Sequence, residues 1–275
     1  MFDRPGIRYS HPAMHTAFEI FIPDYDPAKY GSLAEECAVE ITDIELAISP
    51  YQEGSDIARL NLAAGNGDWI RISWPTRHLL ELCLRTFHAT NNAFNPFAGH
   101  TTMAMPGKDL DDQTVALLAA DWAPEEDSMT EPILFRENEP EARLDSRTLI
   151  DMGAVGKGWA VDACIRLLLD AGVPNAIVQA GTSSIACLGG PWQIIVPGVD
   201  AQILLRNEAL SVSRRVHPET DAAHIMTVSS NGNTDISVCI GPLCAVTDAL
   251  STARVASGSD LYWPIPEGYK LQINA

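Results

Sequence analysis

Ala176-Ile177-Val178-Gln179 and Trp192-Gln193-Ile194-Ile195-Val196 are two short apolar runs, set apart by Gly181 and by the turn Gly189-Gly190-Pro191. Runs of this length, rich in β-branched residues and bounded by glycine and proline, read as buried strands. More strands follow at short intervals, near Ile203 to Leu205, Ala209 to Val212, His224 to Val228 and Ile236 to Ile240. Strands this close, with few helices among them, point to an antiparallel sheet. The fold class is therefore α+β, with largely antiparallel sheets and packed helices, rather than a doubly wound parallel sheet.

Upstream of these strands, Leu149-Ile150-Asp151 ends a strand, and Gly158 to Ala171 repeats apolar residues Ala160, Val161, Cys164, Leu167 and Leu168 at helical spacing, closed by Gly172. The first half opens with a strand from Ala17 to Ile22, closed by Pro23. A helix follows from Lys29 to Ile48 and stops before Pro50; a short helix sits in the turn-rich stretch from Tyr51 to Asn66. A strand near Trp69 to Ile72 and a helix from Pro75 to Asn91 come next, then a loop to Lys108 and a polar, acidic connector to about Pro140. The expected organisation is one domain over 1–275, divisible into lobes at about 1–140 and 141–275.

Composition narrows the function classes. A chain of 275 residues that is 46% hydrophobic and 20% charged can bury a large core. Its formal net charge of -18 argues against nucleic acid and anionic membranes as partners, because the long-range field repels polyanions. An anionic small substrate needs local help from a cation or a few placed lysines and arginines. No run is long enough to span a bilayer, so no membrane insertion is expected, and the first ten residues lack a secretory core. The expected compartment is the cytoplasm, or the periplasm for a chain that has lost a leader. The six cysteines form no C-x-x-C pair and read as reduced core residues. The seven histidines show no H-E-x-x-H pairing, which excludes the common zinc-hydrolase pattern.

Four clusters carry candidate chemistry. In Asp151-Met152-Gly153-Ala154-Val155-Gly156-Lys157-Gly158-Trp159-Ala160-Val161-Asp162, a carboxylate, three glycines and a lysine precede an apolar helix. Such a turn either holds a phosphate at a helix start or is a plain strand-to-helix connection. The nucleotide P-loop pattern fails, since Asp151 and Gly158 replace its first glycine and its hydroxyl residue; the G-x-G-x-x-G order fails too. In Val246-Thr247-Asp248-Ala249-Leu250-Ser251-Thr252-Ala253, Asp248 and Thr252 lie on one helix face. They are either hard-oxygen ligands suited to magnesium or a helix cap and an ordinary helix residue. Ala93-Phe94-Asn95-Pro96-Phe97 either walls a planar ligand or is a turn burying two phenylalanines. Tyr51 with Ser55 to Asn61 supplies a ring, hydroxyls and an amide, and Ser55 can equally be a simple helix cap.

Taken in order along the chain, these clusters resemble the ApbE family of FAD:protein FMN transferases. Its members carry a Met-Gly-Thr start, a Ser-x-x-x-x-x-Asn segment, a Gly-Ala-Phe-Asp-Pro loop, an Asp-x-Gly-x-x-Ala-Lys-Gly-x-x-x-Asp core and a late Asp-Ala-Leu-Ala-Thr helix. This chain has Met14-His15-Thr16, Ser55 to Asn61, Asn92-Ala93-Phe94-Asn95-Pro96, Asp151 to Asp162, and Asp248-Ala249-Leu250-Ser251-Thr252. The resemblance implies an ApbE-like, T-fold-like catalytic domain. It also implies a magnesium-dependent enzyme that moves FMN from FAD to a Thr or Ser hydroxyl of an acceptor flavoprotein, releasing AMP.

By family position, magnesium is held by the Ala154 carbonyl with Asp248 and Thr252, while Asp151 and Lys157 contact FAD. Met14, Tyr51 and the loop from Ala93 through Phe94 to Asn95 line the flavin or adenine site, and His224 contacts FAD or accepts a proton. FAD hydrolysis to FMN and AMP, or flavin binding without turnover, are the alternative activities. The chain departs from the family at His15, Asn95 and Gly156, at Ser211-Val212-Ser213-Arg214 in place of a Thr-Ser-Gly segment, and at Met226-Thr227 after His224-Ile225.

Overall fold

A computed structural model describes residues 5–104, 131–145, 148–199, 202–215, 225, 236–258 and 263–274. The first half runs β1 (Gly6–Ala13), β2 (Thr16–Pro23), α1 (Pro27–Tyr30), α2 (Leu33–Ile48), α3 (Asp56–Leu62), β3 (Ile70–Arg71), α4 (Trp74–Ala89) and α5 (Gly99–Thr102). After it come β4 (Ile133–Phe135), β5 (Glu141–Leu144), α6 (Gly156–Asp170), β6 (Ala176–Ala180), β7 (Ser184–Leu188), β8 (Trp192–Ile195) and β9 (Gln202–Leu205). The described chain closes with β10 (Ala209–Arg214), β11 (Ile236–Gly241), α7 (Cys244–Ser257) and β12 (Lys270–Asn274).

Seven strands form one sheet in the order β1-β2-β6-β7-β10-β11-β12, and every neighbouring pair is antiparallel. The α+β reading with antiparallel sheets holds. The sheet joins strands from both sides of residue 140, through the pairing of β2 with β6. Two small sheets, β3-β5-β4 and β8-β9, flank it.

Alternation along the strands divides the interior in two. Phe18, Ile20, Ile22, Val178, Ala180, Ala186, Leu188 and Cys239 face one side and enter the larger core with α2, α4, α6 and α7. Phe21, Ile177, Ile185, Cys187, Leu210, Val212, Val238 and Ile240 face the other side, where Trp192, Ile194, Ile203 and Leu205 of the β8–β9 hairpin cover them. The Trp192 ring meets Phe21 edge-on at 6.1 Å. On the larger side α6 lies across β6 and β7, α7 lies across β10 and β11, and α2 packs on α6. All six cysteines are buried free thiols, as their apolar surroundings led one to expect.

The differences from the expected elements have local causes. The single helix expected over 29–48 is interrupted at Gly31, whose φ of 50° ends α1 before Ser32. The apolar run Leu149-Ile150-Asp151 is not a strand, and it makes only a parallel bridge from Leu149 to Ala98. Its backbone is instead held by a side chain: Asn61 Nδ2 donates to the Ile150 carbonyl at 3.0 Å, and the Ile150 N–H donates to Asn61 Oδ1 at 2.7 Å. Strands β1, β4, β5, β7 and β12 add to those expected. β1 carries Pro12 and exposed polar residues because it is a sheet edge, and β7 reads as a turn because serine, alanine and cysteine fill it. The strand expected at His224 to Val228 lies outside the described residues, apart from Ile225.

Asn61 is only 2% exposed, so truncation strands both backbone groups of Ile150 out of reach of water. Asn61→Ala is expected to cost about 2–4 kcal/mol, one unsatisfied-group penalty for each lost bond. Urea unfolding measures it, and a loss below about 1 kcal/mol contradicts the clamp.

Candidate functional site

The site forms where the N-terminus of α6 meets α7, and two reciprocal contacts lock these helices. The Gly158 N–H donates to Asp248 Oδ2 at 2.8 Å. In return, Asp162 one turn along α6 accepts from the Cys244 and Ala245 N–H groups at 2.7 and 2.8 Å. The cap residue of helix α7 is Leu243, which offers no capping side chain, so Asp162 satisfies the helix's first donors from outside. Only glycine fits at 158: a Cβ there would lie 2.5 Å from the Cys244 carbonyl oxygen and 2.7 Å from Asp248 Oδ2.

Helix α6 has Val155 as its cap, and its first ladder bond runs from the Trp159 N–H to the Val155 carbonyl at 3.0 Å. Gly158, at the third helical position, has no acceptor within the helix, and Asp248 takes its N–H instead. The Ala154 carbonyl lies just outside the ladder, in the turn that precedes the helix. Lys157 sits half-buried at the second helical position, close enough to act on Asp248 electrostatically.

Asp248 is 7% exposed. Burial pushes its carboxyl up to about 6, against the Lys157 charge and hydrogen bonds from Ser211, Ser184 and Gly158, which pull it down. Burial likewise raises Asp162 to about 7, opposed by the α7 N–H groups and reinforced by the Asp248 charge. Ser184 of β7 donates into the Asp248 carboxylate, 2.9 Å from Oδ1 and 3.0 Å from Oδ2. Thr252, half-buried one turn further along α7, lies 3.2 Å from the Ser213 hydroxyl of β10.

The remaining predicted residues converge on the turn before α6. Asp151 Oδ1 accepts from the Gly153 N–H at 2.8 Å, and the Asp151 N–H donates to the Pro96 carbonyl at 2.9 Å, which brings the Ala93 to Phe97 loop alongside. Burial, and then the neighbouring Asp151 charge, push the Tyr51 phenol above its usual value. Met14 and His15 form the two-residue turn between β1 and β2, both left-handed at φ 49° and 57°. The Glu45 carboxylate takes the Met14 N–H at 2.6 Å and pins that turn. Met14 Sδ and the Ile48 methyl lie 3.9 and 2.9 Å from where a Cβ on Gly156 would stand, so Ile48 fills the space an alanine would take.

Four predicted residues stand apart. The Phe94 ring is 1% exposed and belongs to the core, as does Phe97 at 5%, so the loop buries its aromatic rings instead of walling a ligand with them. Ala93 is buried beside them. Asn95 is exposed, and its Oδ1 accepts from the Phe97 N–H at 3.0 Å. His224 lies outside the described residues. Sequence reasoning missed Ser184 and Glu45, and it gave Ser211, Ser213 and Asp162 no role although they lie in quoted motif segments, because each acts on a residue distant in sequence.

Among the described residues no group of three or more His, Cys, Asp and Glu side chains could hold a metal ion, and no helix is long and apolar enough to cross a membrane. The oxygens named from the sequence are of another kind: the Asp248 carboxylate, the Thr252 hydroxyl and the Ala154 carbonyl.

The α+β fold thus sets a lysine-bearing helix start against a buried carboxylate on a second helix. The chain belongs to the ApbE family, whose model matches residues 14–263. Among solved structures it is similar to the ApbE protein of Thermotoga maritima, at 19% identity and a TM-score of 0.74, over 92% of this chain and 87% of that one. It is also similar to the flavin transferase ApbE of Vibrio cholerae, at 18% identity and a TM-score of 0.72, over 98% and 97%. The flavinyl transferase ApbE of Pseudomonas stutzeri is similar at 17% identity and 0.71, over 92% and 86%. No curated protein matches the chain.

Proposed function

We propose that this protein transfers the FMN half of FAD to a Thr or Ser hydroxyl of an acceptor flavoprotein and releases AMP, with Mg2+ at the site. The observation that carries the reading is the bond from the Gly158 N–H to Asp248, which sets the α6 start, with Lys157 and the preceding Ala154 turn, against the buried carboxylate of α7. A carbonyl, a carboxylate and the Thr252 hydroxyl are hard oxygens, and Mg2+ takes such ligands while keeping waters and phosphate oxygens. The donor set therefore fits. When bound, the ion neutralises charge on the pyrophosphate oxygens during in-line attack.

The chain's own residues do the rest. Lys157 and the α6 N-terminus set positive charge against the phosphates. Asp151 and Tyr51, placed together at the preceding turn, contact FAD, and the Met14–His15 turn bounds the same side. His224 is assigned a FAD contact or proton acceptance on family resemblance alone. Hydrolysis of FAD to FMN and AMP remains the second reading, because Asn95 replaces the family's aspartate and turns its side chain to the Phe97 N–H.

Incubation with FAD, Mg2+ and a flavoprotein acceptor is expected to give a covalent FMN mass on the acceptor and an equal amount of AMP. FMN and AMP without acceptor labelling assign hydrolysis, and no AMP under any divalent ion rejects both enzymatic readings.

The carboxyl shifts give a pH dependence. With Asp248 protonated below about 6, a cation must displace a proton, so Mg2+ affinity is expected to fall about tenfold per pH unit on the acid side and to level off above. The stability effect has the opposite sense. Asp248 and Asp162 titrate above their ordinary values in the folded chain, so their contribution is full below about pH 4 and is lost as pH rises through about 6 and 7. Saturating Mg2+ should restore stability at pH 8, measurable as a rise in Tm; a metal-induced rise as large at pH 5 contradicts the assignment.

A further inference from the structure

We infer that Ser184 and Ser213 are positioning residues, which set the direction in which Asp248 and Thr252 present their oxygens to the cation. The inference rests on the proposed reading of those two side chains as ligands. Ser184 on β7 and Ser211 on β10 are cross-strand partners, and Ser213 is two residues further along β10. All three point towards α7, because the intervening Leu210 and Val212 face the smaller core.

Counting hydrogens fixes the orientation. The Ser251 hydroxyl donates to the Asp248 carbonyl at 3.1 Å, and a carbonyl can only accept. Ser251 has one hydrogen, so in its 2.7 Å contact with Ser213 the donor is Ser213. Ser213 in turn has no hydrogen left for Thr252, and its 3.2 Å contact is made by the Thr252 hydroxyl donating inward. The chain therefore runs Thr252 to Ser213 to Ser251 to the Asp248 carbonyl, and it leaves the lone pairs of Thr252 Oγ1 free for a cation.

The carboxylate is set in a similar way. The buried Ser184 hydroxyl, which also lies 3.3 Å from Ser183 Oγ, sits in the fork of Asp248. Gly158 adds a second donor to Oδ2. The Ser184 hydroxyl thus bridges both carboxylate oxygens while Gly158 holds Oδ2 and Ser211 acts on the same carboxyl, which fixes the direction in which Asp248 faces the ion.

The test is Mg2+ titration by calorimetry at saturating FAD and pH 8, comparing wild type with Ser213→Ala, Ser213→Thr, Ser184→Ala, Ser184→Thr and Asp248→Ala. Loss of an outer-sphere partner is expected to weaken Mg2+ binding roughly 10- to 100-fold in both alanine variants. FAD affinity without metal should stay within about twofold, and the threonine variants should recover most of the loss, since both keep the hydroxyl. Ser213 is only half-buried, so its variants keep the test open if those at the fully buried Ser184 unfold. Wild-type Mg2+ affinity in Ser213→Ala, with Asp248→Ala having lost it, overturns the positioning role and leaves the ligand assignment intact. Wild-type affinity in Asp248→Ala overturns the ligand assignment and this inference with it.

Discussion

Asp248→Ala is expected to leave a folded protein that no longer releases AMP from FAD, with turnover reduced at least 1,000-fold and Mg2+-dependent FAD binding lost. The size of the effect follows from the surroundings of the carboxylate. It is the one acidic side chain proposed to touch the ion, and its neighbours on the sheet, Ser184 and Ser211, are neutral hydroxyls that cannot replace its charge. With a single anionic ligand of three, removal takes away most of the attraction for a divalent ion in a buried setting. Folding should survive. The alanine strands the Gly158 N–H and the Ser184 hydroxyl, each costing about 1–3 kcal/mol, yet it also removes a carboxylate whose desolvation opposes folding. The two effects offset in part. Product chromatography with FAD and Mg2+, paired with circular dichroism, reads both halves; a folded variant that still forms AMP at a tenth of the wild-type rate rejects the metal-ligand role.

Gly158→Ala is expected to have a large structural effect for a single added methyl. The added carbon would stand 2.5 Å from the Cys244 carbonyl oxygen and 2.7 Å from Asp248 Oδ2, and the first of these is backbone that cannot rotate away. Helices α6 and α7 must separate, which lengthens the Gly158–Asp248 bond and the two bonds from α7 to Asp162. Overpacking costs about 1–3 kcal/mol, and a weakened bond to a charged acceptor adds about 1.5–3 kcal/mol. A total of about 3–5 kcal/mol corresponds to a fall in Tm of roughly 10 °C for a chain of this size. Activity should fall with stability, since the same methyl moves the carboxylate away from the α6 start. A Tm within about 2 °C of wild type contradicts this geometry.

Much of the site was legible because its chemistry sits in local motifs. Asp151 to Asp162 and Asp248 to Thr252 could be read as two halves of one site, and the structure joins them through Gly158 and Asp248. The antiparallel sheet was legible from strand spacing after residue 176. What escaped the sequence was of two kinds. Strands β1 and β7 are disguised, one by its edge position and prolines, the other by small side chains that make room for α6 and α7. The second kind is pairwise: Ser184, Ser213 and Glu45 matter only through partners 64, 39 and 31 residues away, and no local pattern encodes such a distance. Phe94 follows the second of the two readings open to its loop, since the structure uses its ring as core.

The pairing of β2 with β6 sets the order in which this molecule can be made. The strand at 16–23 waits for a partner at 176–180, and α6 meets its partner α7 only once residues beyond 244 exist. Closing loops of that length is entropically slow, and contacts so distant in sequence retard folding. A nascent or truncated chain lacking its last quarter therefore holds Lys157 and Asp151 but none of the α7 oxygens. Catalytic competence should arrive in one step, late, and fragments cut anywhere before α7 should be silent even if they bind flavin weakly.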